Sequence, residues 1–288
     1  AALPLRGRLT DRTAGAVGGT GPAAEARPVV MPERVFVLGF PVDVVDLREA
    51  ACWVLDALEP AGIPRSSSRG SSNGGARLVV TLNPEIVVQG LADPELAAVL
   101  RSADLSVADG VGIALAARRA GRPLPGRVPG VDLVTELFRE AGSSLRVYFL
   151  GARPGVAQRA AAEAARRFGV TVVRHHHGYF DRVTEADDVC AAVRAANADL
   201  LLAGLGEGQE LFLRRNEHAL GAKVLIGVGG TLDVLAGEVK RMPAWTTRLG
   251  VEWLFRVTLD RRRWKRVPRL ARFLWLVLRQ GRPATAQR

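Results

Sequence analysis

An acid at the end of an apolar run is the first chemistry this sequence offers. In SADLSVADGVGIAL (residues 102–115) the strand-like segment 105–108 hands Asp109 directly to Gly110-Val111-Gly112. A carboxylate placed there has two uses. It can cap the helix that begins near Val111. It can also act as a base at the mouth of a cleft, because a strand end fixes its Cα and a glycine neighbour lets a substrate approach. The residues leave both uses open. TLNPEIV (81–87) follows a similar plan, with Thr81, then Asn83 just before Pro84. Asn83 is a good N-cap and Pro84 suits a first helical turn. Capping accounts for Asn83 but not for Thr81.

Three glycine turns follow further apolar runs: LGARPGVAQ (150–158), GLGEGQE (204–210) and GVGGTLD (227–233). Gly151 and Gly229 stand where backbone and a helix N-terminus could receive a phosphate, and Gln209 opens the helix-like segment after the second turn. Neither GLGEGQ nor GVGGTL completes the dinucleotide-binding pattern, and no fitting acid stands ~20 residues on, which argues against a dehydrogenase. The run HHHGYF (175–180) holds three adjacent histidines. Neighbours on a strand point to opposite faces, so at most two could share a metal. Packing or substrate contact is the expected role.

These groups need a scaffold, and the chain supplies one by alternation. Short apolar runs at 34–39, 78–82, 105–108, 146–150, 170–174, 199–203 and 223–228 are separated by helical patterns such as PGVAQRAAAEAARRF (154–168) and DVCAAVRAAN (188–197). Continuous apolar strands alternating with amphipathic helices predict an α/β fold of Rossmann-like type. Its sheet would be mostly parallel, with helices on both faces. In such sheets ligands bind beyond the carboxyl ends of the strands, which is where the polar turns fall. Residues 1–33, rich in Ala, Gly, Pro and Arg, are expected to be a disordered extension. The segment 60–77 reads as a flexible insertion in a domain spanning 34–242. Cys52 and Cys190 match no disulfide or metal spacing and are expected to be buried thiols of a cytoplasmic protein.

The 288 residues carry a net charge of +11, and its location is informative. From Glu238 to Arg288 there are 14 Lys and Arg against 3 Asp and Glu, whereas residues 1–237 hold 26 of each sign. A neutral body with a basic tail calls for an anionic partner at the tail. The segment 243–288 has helical spacing, four tryptophans and the apolar run 273–278. That run is too short to cross a bilayer, and no stretch approaches the ~18 apolar residues of a spanning helix. Flanking arginines suit a helix lying among lipid headgroups, with Trp264, Phe273 and Trp275 as expected apolar anchors. A nucleic-acid partner would also explain the tail. The neutral body offers no basic stripe, however, and no nucleic acid is expected.

Seven blocks in order resemble the TagA/WecG/CpsF glycosyltransferases: TLNPEIV, SADLSVADGVGIA, PGRVPGVDL (125–133), FLGARPGVA (149–157), HHGYF (176–180), GVGGTLDVLAGEVKRMP (227–243) and GVEWLFR (250–256). The resemblance spans about residues 34–275. It implies inverting transfer of N-acetylmannosamine, or its uronate, from a UDP-sugar to a polyprenyl-pyrophosphate-linked N-acetylglucosamine. The enzyme would be peripheral on the inner face of the bacterial plasma membrane. It gives Asp109 the role of base and places Thr81, Asn83, Arg127 and Gln209 around the ligand. It also implies a C-terminal appendage over the site, contributing Arg256, Arg263 and Arg266. The turn GLGEGQELF departs from the family's usual Gly-x-Pro-x-Gln-Glu-x-x-Trp pattern in lacking the proline and in having Phe212 as its aromatic. That departure keeps an inactive relative, serving as a scaffold in polysaccharide assembly, as an alternative. No Asp-x-Asp pair ends a strand, so no obligate metal is expected; helix N-termini and arginines would meet the charge of the leaving diphosphate. A homo-oligomer remains possible.

Overall fold

Unbroken burial along five of the six strands of the main sheet decides the architecture. In the computed structural model, which describes residues 31–59, 75–239 and 267–279, eight strands, eleven α-helices and one 3-10 turn (Gly142–Ser144) can be followed. The first two strands, β1 (Arg34–Val37) and β2 (Phe40–Asp43), form an antiparallel hairpin. The other six are β3 (Arg77–Leu82), β4 (Leu105–Ala108), β5 (Arg146–Gly151), β6 (Thr171–His176), β7 (Leu200–Gly204) and β8 (Val224–Gly227). They form one parallel sheet in the order β4-β3-β8-β7-β5-β6. Strand residues two apart share a face: Leu78, Val80 and Leu82 point into one core, Val79 into the other. Both faces are covered, as the unbroken apolar runs require.

One face carries α1 (Leu47–Leu58), α5 (Gly130–Ala141), α6 (Val156–Phe168) and α10 (Thr231–Leu235). The other carries the hairpin together with α2 (Pro84–Ala92), α3 (Pro94–Arg101), α4 (Val111–Arg119), α7 (Ala186–Ala195), α8 (Gln209–Arg215), α9 (Glu217–Leu220) and a C-terminal helix, α11 (Val267–Arg279). Local signals start several of these helices. Asp46 and Glu49 form a capping box on α1, and Asp93 caps α3 through two backbone amides.

Three expectations are corrected here. The run 34–39 does not join the parallel sheet. Its end turns at Leu38 and Gly39, both at positive φ, and folds back as β2, so β4 and β6 are the edges of the parallel sheet. The strand after the proposed insertion begins at Arg77, one residue inside that stretch. Of the two cysteines only Cys190 is buried; Cys52 lies on the solvent side of α1, because Ala50, Ala51, Trp53 and Val54 occupy its inner side. Residues 1–30, most of the 60–77 insertion and most of 243–288 lie outside the described residues, so the disorder expected of 1–33 is not addressed.

The hairpin is held at the amino edge of the sheet by buried charge. Asp43, fully buried, accepts from Arg34 Nε at 2.7 Å and from the Ser106 amide at 2.7 Å. Arg34 also donates to the carbonyls of Ala103 and Asp104. Asp104 in turn accepts from the Leu78 amide and pairs with Arg77.

The C-terminal helix belongs to the same core. Phe273 is fully buried and Val277 nearly so, and both pack with α2 and α4. A Cβ added at Gly112 would come within 2.6 Å of Pro84 Cγ and 3.3 Å of Phe273. Three helices therefore meet beside Asp109. Arg119 of α4 donates to the carbonyls of Val277 and Leu278, closing the end of α11. Phe273 accordingly cannot be the lipid anchor expected above, since its ring is spent on packing. Trp275 stays half exposed, with the Arg279 guanidinium 4.5 Å from its ring centre. Trp264 lies outside the described residues.

Candidate active site

Asp109 hangs from the carboxyl edge of the sheet. Its amide donates to the Leu82 carbonyl at 2.8 Å, which ties the end of β4 to the end of β3. The next residue, Gly110, is the N-cap of α4 with φ +95°. That conformation disfavours any side chain, and an added Cβ would meet no described atom within 4 Å. The N-cap position of α4 is taken by Gly110, not by Asp109. The Val128 amide donates to the Ala108 carbonyl at 2.8 Å. This bond brings the 125–129 loop, with half-buried Arg127, against the same strand end.

Thr81 is buried at the adjoining end of β3, and its hydroxyl donates to the Gly227 carbonyl at 2.8 Å. A Cβ on Gly130 would lie 3.4 Å from both Thr81 Cγ2 and Thr231 Oγ1. Thr81 therefore sits between the first residues of α5 and α10. Asn83 does cap α2: its Oδ1 accepts from the amides of Glu85 and Ile86 at 3.0 and 3.1 Å.

Gln209 lies across Gly227 from Thr81. A Cβ at Gly227 would fall 2.7 Å from Gln209 Nε2, so only glycine lets the strand end pass. Gln209 Oε1 accepts from the Leu205 amide and its Nε2 donates to Glu210 at 2.6 Å. The amide thus closes the β7–α8 turn. Gly151 owes its identity to packing: at φ +141°, an added Cβ would be 2.4 Å from the Gly204 carbonyl oxygen. Gly229 has φ +50° and no described atom within 4 Å of such a Cβ.

The edge therefore gathers Asp109, Thr81, Asn83, Arg127, Gln209 and Gly229 around the ends of β4, β3, β8 and β7. Gly151 sits further along, at β5. Arg256, Arg263 and Arg266 lie outside the described residues. Five helices start along this edge with Gly110, Pro129, Gly155, Gly208 or Gly230 at the N-cap, and none has a side-chain cap hydrogen bond. Helix N-termini converging on one sheet edge, with their dipoles pointing the same way, favour an anionic ligand. Among the described residues no three His, Cys, Asp or Glu side chains gather to hold a metal ion. The rings of His176 and His177 lie 4.5 Å apart, tilted at 43° to each other.

Sequence reading missed Glu210, Arg182 and Thr231. Glu210 stands in the quoted Gln-Glu turn, next to its partner Gln209, but its burial shows only in the fold. Arg182 reaches carbonyls 23 and 25 residues on, which no local pattern marks. Glu210 is buried, and desolvation raises its carboxyl above the ordinary range against the Gln209 hydrogen bond and the attraction of Arg182. Burial likewise lowers the Arg182 guanidinium, opposed by Glu210. Both shifts favour the neutral forms, so desolvation outweighs mutual attraction. A carboxyl whose folded pKa is raised contributes stability below its unfolded pKa, near ~4.3, and loses it as pH rises through the folded value. Glu210→Gln should therefore gain melting temperature over the parent chain at pH 8 by a few degrees, with the gain shrinking towards pH 4.5. Melting curves at the two pH values check this; an equal difference at both would contradict it.

Fold and site together define an α/β protein with a carboxylate and several helix N-termini along the carboxyl edge of its parallel sheet. The chain belongs to the glycosyl transferase WecG/TagA/CpsF family, whose model matches residues 35–287. It is 33% identical over 213 residues to an N-acetylglucosaminyldiphosphoundecaprenol N-acetyl-beta-D-mannosaminyltransferase of Bacillus spizizenii, covering 73% of this chain and 81% of that protein. A Staphylococcus aureus protein of the same name is 34% identical over 194 residues, covering 67% and 74% respectively.

Proposed function

We propose that this chain transfers N-acetylmannosamine, or a closely related hexose or uronate, from a UDP-sugar to a polyprenyl-diphosphate-linked N-acetylglucosamine, inverting the anomeric centre. The names of the Bacillus and Staphylococcus relatives support the transferred sugar and the acceptor. The observation that carries the mechanism is the seat of Asp109, fixed by the Leu82 carbonyl and followed by a glycine that leaves room for substrate.

The acceptor hydroxyl oxygen attacks the anomeric carbon as the bond to the UDP oxygen breaks. The hydroxyl proton passes to Asp109, and UDP leaves with the bonding electron pair. A carboxylate held at fixed distance and partly desolvated suits the base. Negative charge growing on the diphosphate is met by first-turn amides at the edge, by Arg127, and by tail arginines among Arg256, Arg263 and Arg266.

Among the described residues no helix is long and apolar enough to cross a membrane. On α11, Val267, Trp275 and Leu278 are exposed beside Arg272 and Arg279. That face, with the basic tail, supports an enzyme lying on the anionic inner surface of the plasma membrane, where each juxtamembrane Lys or Arg contributes ~1 kcal/mol before screening.

The test is UDP release over a panel of UDP-sugars, with a short-chain lipid-diphosphate N-acetylglucosamine acceptor. UDP-N-acetylmannosamine or its uronate should give acceptor-dependent release, undiminished by EDTA. Release with none of the panel would overturn the reading, and loss with EDTA restored by Mg²⁺ or Mn²⁺ would overturn its metal-free form.

A further inference from the structure

The turn after β7 is built to move and yet is held. Gly206 and Gly208 both adopt left-handed φ, +72° and +77°. A segment with two such glycines in four residues has many alternative conformations when released. Two arginines from distant parts of the chain grip it.

Arg182 comes from the loop between β6 and α7. It donates to the Glu207 carbonyl at 2.7 Å and, through its other terminal nitrogen, to the Leu205 carbonyl. A planar fork holds two carbonyls two residues apart in one fixed geometry, which a freely rotating ammonium on a flexible stem does not. Arg269 comes from α11. One of its nitrogens reaches Glu207 Oε1 at 3.1 Å and the other reaches Glu85 Oε1 at 3.2 Å. Glu85 lies in the first turn of α2, two residues after the Asn83 cap. The second grip therefore joins the Gln209 turn to the Asn83 turn, with the end of β8 between them.

We propose that Arg182 and Arg269 are positioning residues that lock the Leu205–Gly208 turn. Through Arg269, this makes the geometry at the carboxyl edge depend on α11 being docked. The role in transfer rests on the function proposed above. The lock itself does not.

Arg269 and Glu207 are 36% and 69% exposed at the side chain, so the ion pair adds little to global stability. Its effect should appear in the mobility of the turn. In the full chain, Arg269→Ala should speed amide hydrogen exchange at 205–209 and 267–279 with an almost unchanged melting temperature. It should also lower kcat/KM about threefold, the factor that corresponds to a part-exposed ion pair. Glu207→Gln should do part of the same, and added to Arg269→Ala it should cost little more. Arg182→Lys keeps the charge, is the milder change should Arg182→Ala fail to fold, and should free the turn because the fork is gone.

Unchanged exchange at 205–209 in both Arg269→Ala and Arg182→Lys would sink the lock whatever the enzyme does. Faster exchange with undiminished kcat/KM would sink the positioning role. A parent chain inactive on every sugar would instead sink the proposed function, and the exchange result would still stand.

Discussion

Replacing Asp109 with asparagine is expected to lower turnover by about 10²–10⁴-fold, the range that a positioned general base contributes. Asparagine keeps the size of the side chain and can still accept hydrogen bonds. The backbone bond from residue 109 to the Leu82 carbonyl does not involve the side chain, so folding and melting temperature should hold. KM for the UDP-sugar should move little, because the loss falls on proton transfer and not on donor binding. Steady-state UDP release with matched melting curves measures both. An Asp109→Asn protein with parental turnover would remove the base from this position and, with it, the mechanism proposed here.

Asp43→Ala is expected to cost about 3–5 kcal/mol of stability, since it strands a buried guanidinium. Arg34 is left only 14% exposed without its carboxylate, and the Ser106 amide loses its acceptor. For a chain this size the loss corresponds to a fall in melting temperature of roughly 10 °C. Replacing both partners, as in Arg34→Leu with Asp43→Leu, should recover part of it, because no unpaired charge then remains. Thermal or denaturant unfolding of the two variants decides the matter; a single variant within 1 kcal/mol of the parent (~1 kcal/mol being a surface-pair value) would show the pair to be dispensable. The pair lies at the amino edge of the sheet, away from Asp109, so the folded fraction of Asp43→Ala should keep its activity.

The sequence by itself determined what depends on neighbours along the chain. Unbroken apolar runs such as LVV in β3 and LLLA in β7 required strands buried on both faces, and the six parallel strands follow. Asn83 before Pro84 specified the start of α2, because a cap needs only amides two and three residues on. The position of Asp109 at a strand end was equally legible, since a strand end and a glycine turn are both local features. The uneven charge marked the tail as something other than another βα unit.

Only the tertiary structure decided what depends on partners far apart in sequence. Thr81 had no local explanation because its hydroxyl bonds a carbonyl 146 residues away. The hairpin β1–β2 could not be told from a sheet strand, because its anchor is Asp43 reaching Ser106, 63 residues on. Phe273 looked like a lipid anchor until α11 was seen to dock on α2 and α4. Arg269 carried no signal beyond being one basic residue among many, since Glu85 and Glu207 are 184 and 62 residues distant. Capping and periodicity are set within one or two turns of backbone. Burial and charge pairing between separate elements are set by how the chain returns on itself, and so they become readable only once it has.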